Sequence, residues 1–391
     1  MAHLRMALAA LVLASFVSAA ALAQAKPTEP VPSMLVWTPE QQAKWYKAIE
    51  TVYPVRAVPR GLTVHPLPKA DHEIAPTWNA GGKAWTLDSY MAAYRVSGVI
   101  VLHDGKVVLE RYGLGRQPTD RWTSMSVAKS VTSLLAGAAI QDGKLALTDP
   151  VEKFVPELKG SGYDGVTVRQ LLMMSSGVRW VEDYENPNSD LAKMGRLAGE
   201  KDPLLKTLAS LPRERPPGSA FHYNTAETHL AGLVVSRAVG QPLATYLSEK
   251  IWKPYGMEQD AAWMIDPLGR EAAGCCLSMT LRDYARVGQF ALDGGVADGK
   301  AVVPPGWIAE STRVQIANGQ PAPNGYGYFW WIGARAYEAS GINGQSILVY
   351  PKERIVIAVN SAWPRPDAPE LFRALQGFQG ATYAAVMGRK P

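Results

Sequence analysis

The sequence predicts a mixed α+β fold, in which strands from both ends of the chain close one sheet and a largely helical domain is inserted between them. Three observations carry this. The run VSGVIVLHDGKVVLERYG, beginning at Val96, reads as two strands turning at Asp104-Gly105, a dipeptide suited to a two-residue hairpin. Strand patterns return towards the other end, near 326–332, 346–349 and 354–360, before a helical stretch at 368–387. Between 148 and 267 strand signals are rare, and VTVRQLLMMSSG and LVVSRAVGQPLATYLSEKIW read as short helices punctuated by glycine and proline.

In chain order, residues 1–25 read as a secretory signal peptide. Arg5 precedes an apolar run, Met6 to Leu22, and the small-x-small triplet Ala23-Gln24-Ala25 follows. The run is short for a membrane span, and no cysteine stands at the cleavage point. The expectation is a periplasmic or secreted protein with no membrane anchor once the signal is removed. Residues 26–85 are proline-rich and weakly periodic, and read as an extended N-terminal arm over the main domain. Residues 86–145 form the first part of an α/β domain, 146–270 the inserted, mostly helical domain, and 271–391 its second part, opened by the helix TLRDYARVGQFAL. The segment Ser124 to Ile140 reads as one helix, apolar at Val127, Val131, Leu134 and Leu135 and small elsewhere, as in a helix buried at the centre of the molecule. With 47% hydrophobic and 19% charged residues over 391 positions the chain is globular, not disordered. Its formal charge of +5 contains no Lys/Arg block, which argues against nucleic acid as a partner. The expected partner is a small molecule, bound by a monomer or homodimer.

The chemistry is concentrated at Ser126-Val127-Ala128-Lys129. A serine three residues before a lysine shares its helix face. With the helix starting near Ser124, Ser126 lies in the first turn, where free N–H groups and the helix dipole favour an alkoxide. Lys129 lies one turn deeper among apolar neighbours, where desolvation lowers its pKa and lets it take the serine proton. A second stretch, Pro217-Gly218 leading through Phe221-His222-Tyr223-Asn224-Thr225 into a helix, offers a phenol that can relay a proton. A third, Ala339-Ser340-Gly341-Ile342-Asn343-Gly344-Gln345, precedes a clear strand, and its two glycines permit close approach and present backbone N–H groups.

The order of these motifs resembles the penicillin-recognising serine hydrolases, with Ser-x-x-Lys, then Tyr-x-Asn, then Lys-Thr-Gly. The resemblance runs from about Val96 to Trp363. Within the class C β-lactamase and esterase-like superfamily it is strongest to 6-aminohexanoate-dimer hydrolases, which cleave a nylon-oligomer amide. It is carried by SMSVAKS, FVPELKGSGYDG, VEDYENP, the FHYNTAETHLAG and TLRDYARVGQFALDGG blocks, SGINGQ and NSAWPRP. It implies a β-lactamase/transpeptidase-like fold, with helices flanking a central antiparallel sheet, and chemistry without a cofactor. By the same resemblance Ser126 is the acyl-enzyme nucleophile, Lys129 the general base and Tyr223 the proton relay. The backbone amides of Ser126 and Ile342 form the oxyanion hole, and Tyr184 steadies the substrate's amide nitrogen. Two departures stand out. Thr225 replaces the usual asparagine or serine. Aligning either Ala339-Ser340-Gly341 or Ile342-Asn343-Gly344 with Lys-Thr-Gly leaves the lysine missing, and with it the cation that meets a β-lactam or peptide carboxylate.

Further candidates are weaker. Trp331 and Trp180 are expected to line the substrate wall, Asn343 to touch substrate, and Asp183 or Glu182 to meet a substrate ammonium at the rim. His222 and His229 read as solvated or packing positions, and no histidine–carboxylate cluster has metal-ligand spacing. No Gly-x-Ser-x-Gly elbow is present. Cys275 and Cys276 are adjacent, with Cα atoms closer than the usual disulfide span, and read as two small unbonded side chains. The function that follows is an exported serine hydrolase of small carboxylic esters, with weaker cleavage of linear amides. The alternatives are a β-lactamase or D-alanyl-D-alanine carboxypeptidase, disfavoured by Ala339, and a non-catalytic binding protein, disfavoured by the joint survival of Ser126, Lys129 and Tyr223.

Overall fold

The computed structural model describes residues 33–196 and 201–388. The expected signal peptide lies outside these residues. Among the described residues no helix is long and apolar enough to cross a membrane.

The main sheet has seven strands, all paired antiparallel. In spatial order they are Gly325–Tyr326, Trp331–Ile332, Tyr337–Gly341, Gln345–Tyr350, Ile355–Ser361, Val96–His103 and Lys106–Tyr112. Asp104 and Gly105 both take positive φ, 48° and 74°, so the hairpin forms where the dipeptide places it. The two ends of the chain meet where Ile355–Ser361 pairs with Val96–His103. These central strands are buried on both faces, which explains their unbroken apolar runs. Ile100, Leu102, Val356 and Ala358 join the core containing the Val127–Gln141 helix, while Val99, Val101, Ile357 and Val359 pack with Leu375 and Phe378 of the terminal helix Pro369–Val386. The segment 326–332 is broken into two short strands at Phe329, whose φ of 59° interrupts the extended chain.

Every residue of the central helix from Val127 to Ala139 is buried. Its small residues make this possible; a Cβ at Gly137 would stand 2.5 Å from the Trp307 indole nitrogen. The helix begins at Val127, later than the expected Ser124. Met125 takes a φ of 44°, a left-handed conformation costing on the order of 1–2 kcal/mol, and this kink holds Ser126 at the helix entrance.

The segment expected as an extended arm carries regular structure. It holds the helix Pro39–Trp45, closed by a Thr38/Gln41 capping box, and the hairpin strands Thr77–Ala80 and Lys83–Thr86. Its strand Val55–Val58 enters a second antiparallel sheet with Ala261–Met264, Leu277–Met279 and Trp122–Thr123. Between 146 and 270 the structure is chiefly short helices, and Ala261–Met264 is its one named strand among the described residues.

Candidate active site

Ser126, Lys129 and Tyr223 converge at a cleft of about 830 Å³ between the sheet and the helical segments. Lys129 Nζ lies 3.0 Å from Ser126 Oγ, 3.0 Å from Thr225 Oγ1 and 2.7 Å from the Gly274 carbonyl. Burial lowers the lysine pKa to about 8, against the opposing pull of the Glu182 carboxylate. Such an amine, touching a serine hydroxyl, can take its proton. The amides of Val127, Ala128 and Lys129 close tight turns onto Ser124, Met125 and Ser126, so they are not the free donors expected at the helix start. The Ser126 amide makes no hydrogen bond among the described residues.

Tyr223 precedes the helix Thr225–Val239, which is capped by Asn224 through its bond from Glu227 N. The phenol ring stacks on Trp331 at 5.7 Å and lies 5.2 Å from Lys129 Nζ. Burial and then Glu182 raise its pKa, while the facing Ser126 hydroxyl acts in the opposite direction. Tyr223 is therefore a neutral donor at working pH.

Glu182, expected at the rim to meet a substrate ammonium, is instead the hub of the buried network. It accepts from Trp180 Nε1, Tyr184 OH and Thr225 N, each at 2.7 Å, and from the Thr225 hydroxyl. Trp180, Glu182 and Tyr184 are spaced two residues apart in a loop. That period of two was the available signal that the three act together. Thr225, a departure from the motif, serves as the link: it accepts from Lys129 and donates to Glu182. Gly274, the other acceptor for Lys129, carried no sequence signal.

The third motif meets the serine through the strand Tyr337–Gly341. A Cβ at Gly341 would stand 2.9 Å from Ser126 N and 3.0 Å from Ser124 O, so glycine is required by the approach of two backbones. Gly344 has a different reason, since a Cβ there would meet the Trp363 indole at 2.5 Å. Ser340, Gly341 and Ile342 line the cleft; Ala339 is buried and does not.

Several expectations are corrected. Asn343 is buried, with φ 57°, and its Nδ2 donates to the Trp363 carbonyl at 2.9 Å, so it shapes the loop and does not reach the cleft. Asp183 points along its own loop, accepting from the amides of Glu185 and Asn186. Trp180 is buried outside the cleft lining and acts on Glu182. Tyr184 and Trp331 do line the cleft, while Trp330 is in the core. The Tyr184 proton is spent on Glu182, which leaves its oxygen to act as an acceptor. His222 lines the cleft and bonds the Trp180 carbonyl at 2.7 Å, and His229 lies behind Gly274. Cys275 and Cys276 are disulfide-bonded, not free; the left-handed Cys276, φ 68°, turns the adjacent side chains together.

The β-lactamase family matches residues 86–381. A 6-aminohexanoate-dimer hydrolase of Paenarthrobacter ureafaciens is 35% identical over 68% of this chain and 73% of that protein. The chain belongs to the β-lactamase family. It is a serine hydrolase of that family. Esterase EstB of Burkholderia gladioli is 34% identical over 34% of this chain and 36% of its own length. A solved structure from Bacillus anthracis, bearing the 6-aminohexanoate-dimer hydrolase name, superposes with a TM-score of 0.82 at 24% identity, covering 92% of this chain and all of that one. That likeness bears on the fold, and the family fold accounts for the mixed helices and antiparallel sheets.

Proposed function

We propose that this family member is an exported hydrolase of small carboxylic esters and, more weakly, of linear amides of the 6-aminohexanoate-oligomer kind, acting through an acyl-enzyme on Ser126. The observation that carries the reading is the contact of the buried, pKa-lowered Lys129 with Ser126 Oγ, facing an open cleft. Neutral Lys129 takes the hydroxyl proton as Ser126 Oγ attacks the carbonyl carbon. The developing oxyanion is received by the amides of Ser126 and Ile342. Tyr223 passes the proton to the leaving oxygen or nitrogen as the acyl bond breaks, and a water repeats the sequence in reverse to release the acid.

Tyr184 supplies the feature that separates amides from esters. With its own proton held by Glu182, its oxygen accepts from an N–H, which an amide carries and an ester lacks. The names of the two relatives, an amide hydrolase and an esterase, support both bond types. The missing motif lysine weighs against β-lactams, and the amino-terminal segment 1–25 supports export.

The test is turnover of p-nitrophenyl butyrate and of a 6-aminohexanoate dimer by wild type and Ser126→Ala, with nitrocefin as the β-lactam control. The variant is expected to lose hydrolysis and fluorophosphonate labelling while keeping its fold. Wild-type-like turnover by Ser126→Ala ends the nucleophile assignment. Amino-terminal sequencing of protein from the culture medium and periplasm tests cleavage after Ala25.

A further inference from the structure

A second cavity, of about 260 Å³, opens behind the Lys129 network and shares no lining residue with the catalytic cleft. Its walls are mainly apolar, formed by Leu204, Leu233, Leu243 and Met264 among others, so water gains little there. A cavity of about 150 Å³ holds a benzene-sized molecule, so this one has room for a ring with a short substituent.

The polar groups around it decide what fits. Arg270 is engaged by Asp202 and Asp266 and offers no free cation. Glu271 is engaged by Arg56 and by the amides of Leu243 and Ala244. The Ser236 proton goes to the Gln241 carbonyl. His229 remains. Its Nδ1 accepts from Gly274 N–H at 3.5 Å, so a neutral ring carries its proton on Nε2. No hydrogen bond of Nε2 is seen among the described residues, and His229 lines the cavity. Burial lowers the histidine pKa to about 3, which keeps the ring neutral.

We propose that this cavity is a second small-molecule site, taking a neutral, largely apolar molecule of about ring size with one hydrogen-bond acceptor, which His229 Nε2–H holds. The chemistry at Ser126 is not part of the argument. Gly274 connects the sites, since its N–H meets His229 and its carbonyl meets Lys129 Nζ. An occupant therefore sits one residue from the groups that orient the lysine.

Acetophenone is a suitable probe, with ethylbenzene as the matched molecule lacking an acceptor. Binding is followed by saturation-transfer NMR, with the part lost in Leu204→Trp assigned to this cavity and the remainder to the catalytic cleft, which shares no lining residue with it. Acetophenone is expected to bind about fivefold more tightly than ethylbenzene, the worth of one neutral hydrogen bond. His229→Phe should erase that preference, and Leu204→Trp, which fills the cavity, should abolish binding of both there while leaving thermal unfolding near wild type. Absence of millimolar binding, or binding undiminished by Leu204→Trp in folded protein, overturns the proposal. An unchanged preference in His229→Phe overturns the role given to Nε2.

Discussion

Glu182→Gln removes a charge and keeps the side chain's shape, so it tests the lysine's electrostatics directly. The Thr225 hydroxyl bridges the carboxylate to Lys129 Nζ, which keeps the two charges within two hydrogen-bond lengths, about 5.5 Å or less. At an effective dielectric constant of about 20 that attraction is on the order of 3 kcal/mol, or about two pH units of lysine pKa. The carboxylate favours the protonated lysine, so its removal should carry the pKa below the present value of about 8. Activity needs the neutral amine and rises as pH passes through this pKa. The acid limb of kcat/KM should therefore move down by one to two pH units, roughly, allowing for solvent screening. The limb belongs to the coupled Lys129–Tyr223 group, not to lysine alone. Maximal kcat/KM should fall, because an amide nitrogen would face one of the four donors that Glu182 accepts. The assay is p-nitrophenyl butyrate hydrolysis from pH 5 to 10, roughly the window bracketing the lysine. A limb that stays in place, or moves towards higher pH, refutes the electrostatic coupling.

Tyr184→Phe should reduce turnover of an amide about tenfold while sparing the matched ester, since the lost acceptor serves an N–H; equal losses on both would reduce Tyr184 to a shaper of the pocket. Gly341→Ala places a Cβ against the Ser126 backbone, and a displacement of the serine should cost about 100-fold in kcat/KM with a smaller change in Tm. Glu227 is buried with its pKa raised to about 8 by desolvation. A carboxyl raised in the folded state contributes stability below its unfolded pKa and loses it as pH rises through the folded one. Between pH 6 and 8 the loss should be about 2–3 kcal/mol by linkage, and urea unfolding of Glu227→Gln should lack that share of the decline. A variant with the same pH dependence as wild type would place the charge elsewhere.

Local chemistry in the sequence determined a good part of this protein. The Asp104-Gly105 turn, the Val99–Leu102 apolar run of the Val96 strand and the buried helix follow from residue preferences acting over a few positions. Ser126 and Lys129 were legible together because three residues along a helix bring side chains to one face whatever surrounds them. Tyr223 was legible through its motif. The tertiary structure alone decided what those residues touch. Glu182 and Thr225 are 43 positions apart, and only their meeting turns a rim carboxylate into the charge that sets the lysine. Gly274 reaches Lys129 across 145 positions with a backbone carbonyl, a group that every residue carries and no sequence pattern marks. The same reason explains the misplaced candidates. Asn343 and Asp183 are polar residues beside true cleft residues, and their side chains satisfy nearby backbone groups instead of facing substrate. Composition and spacing fix which chemistry a chain can perform; burial and partner, set by contacts between distant segments, choose the residues that carry it.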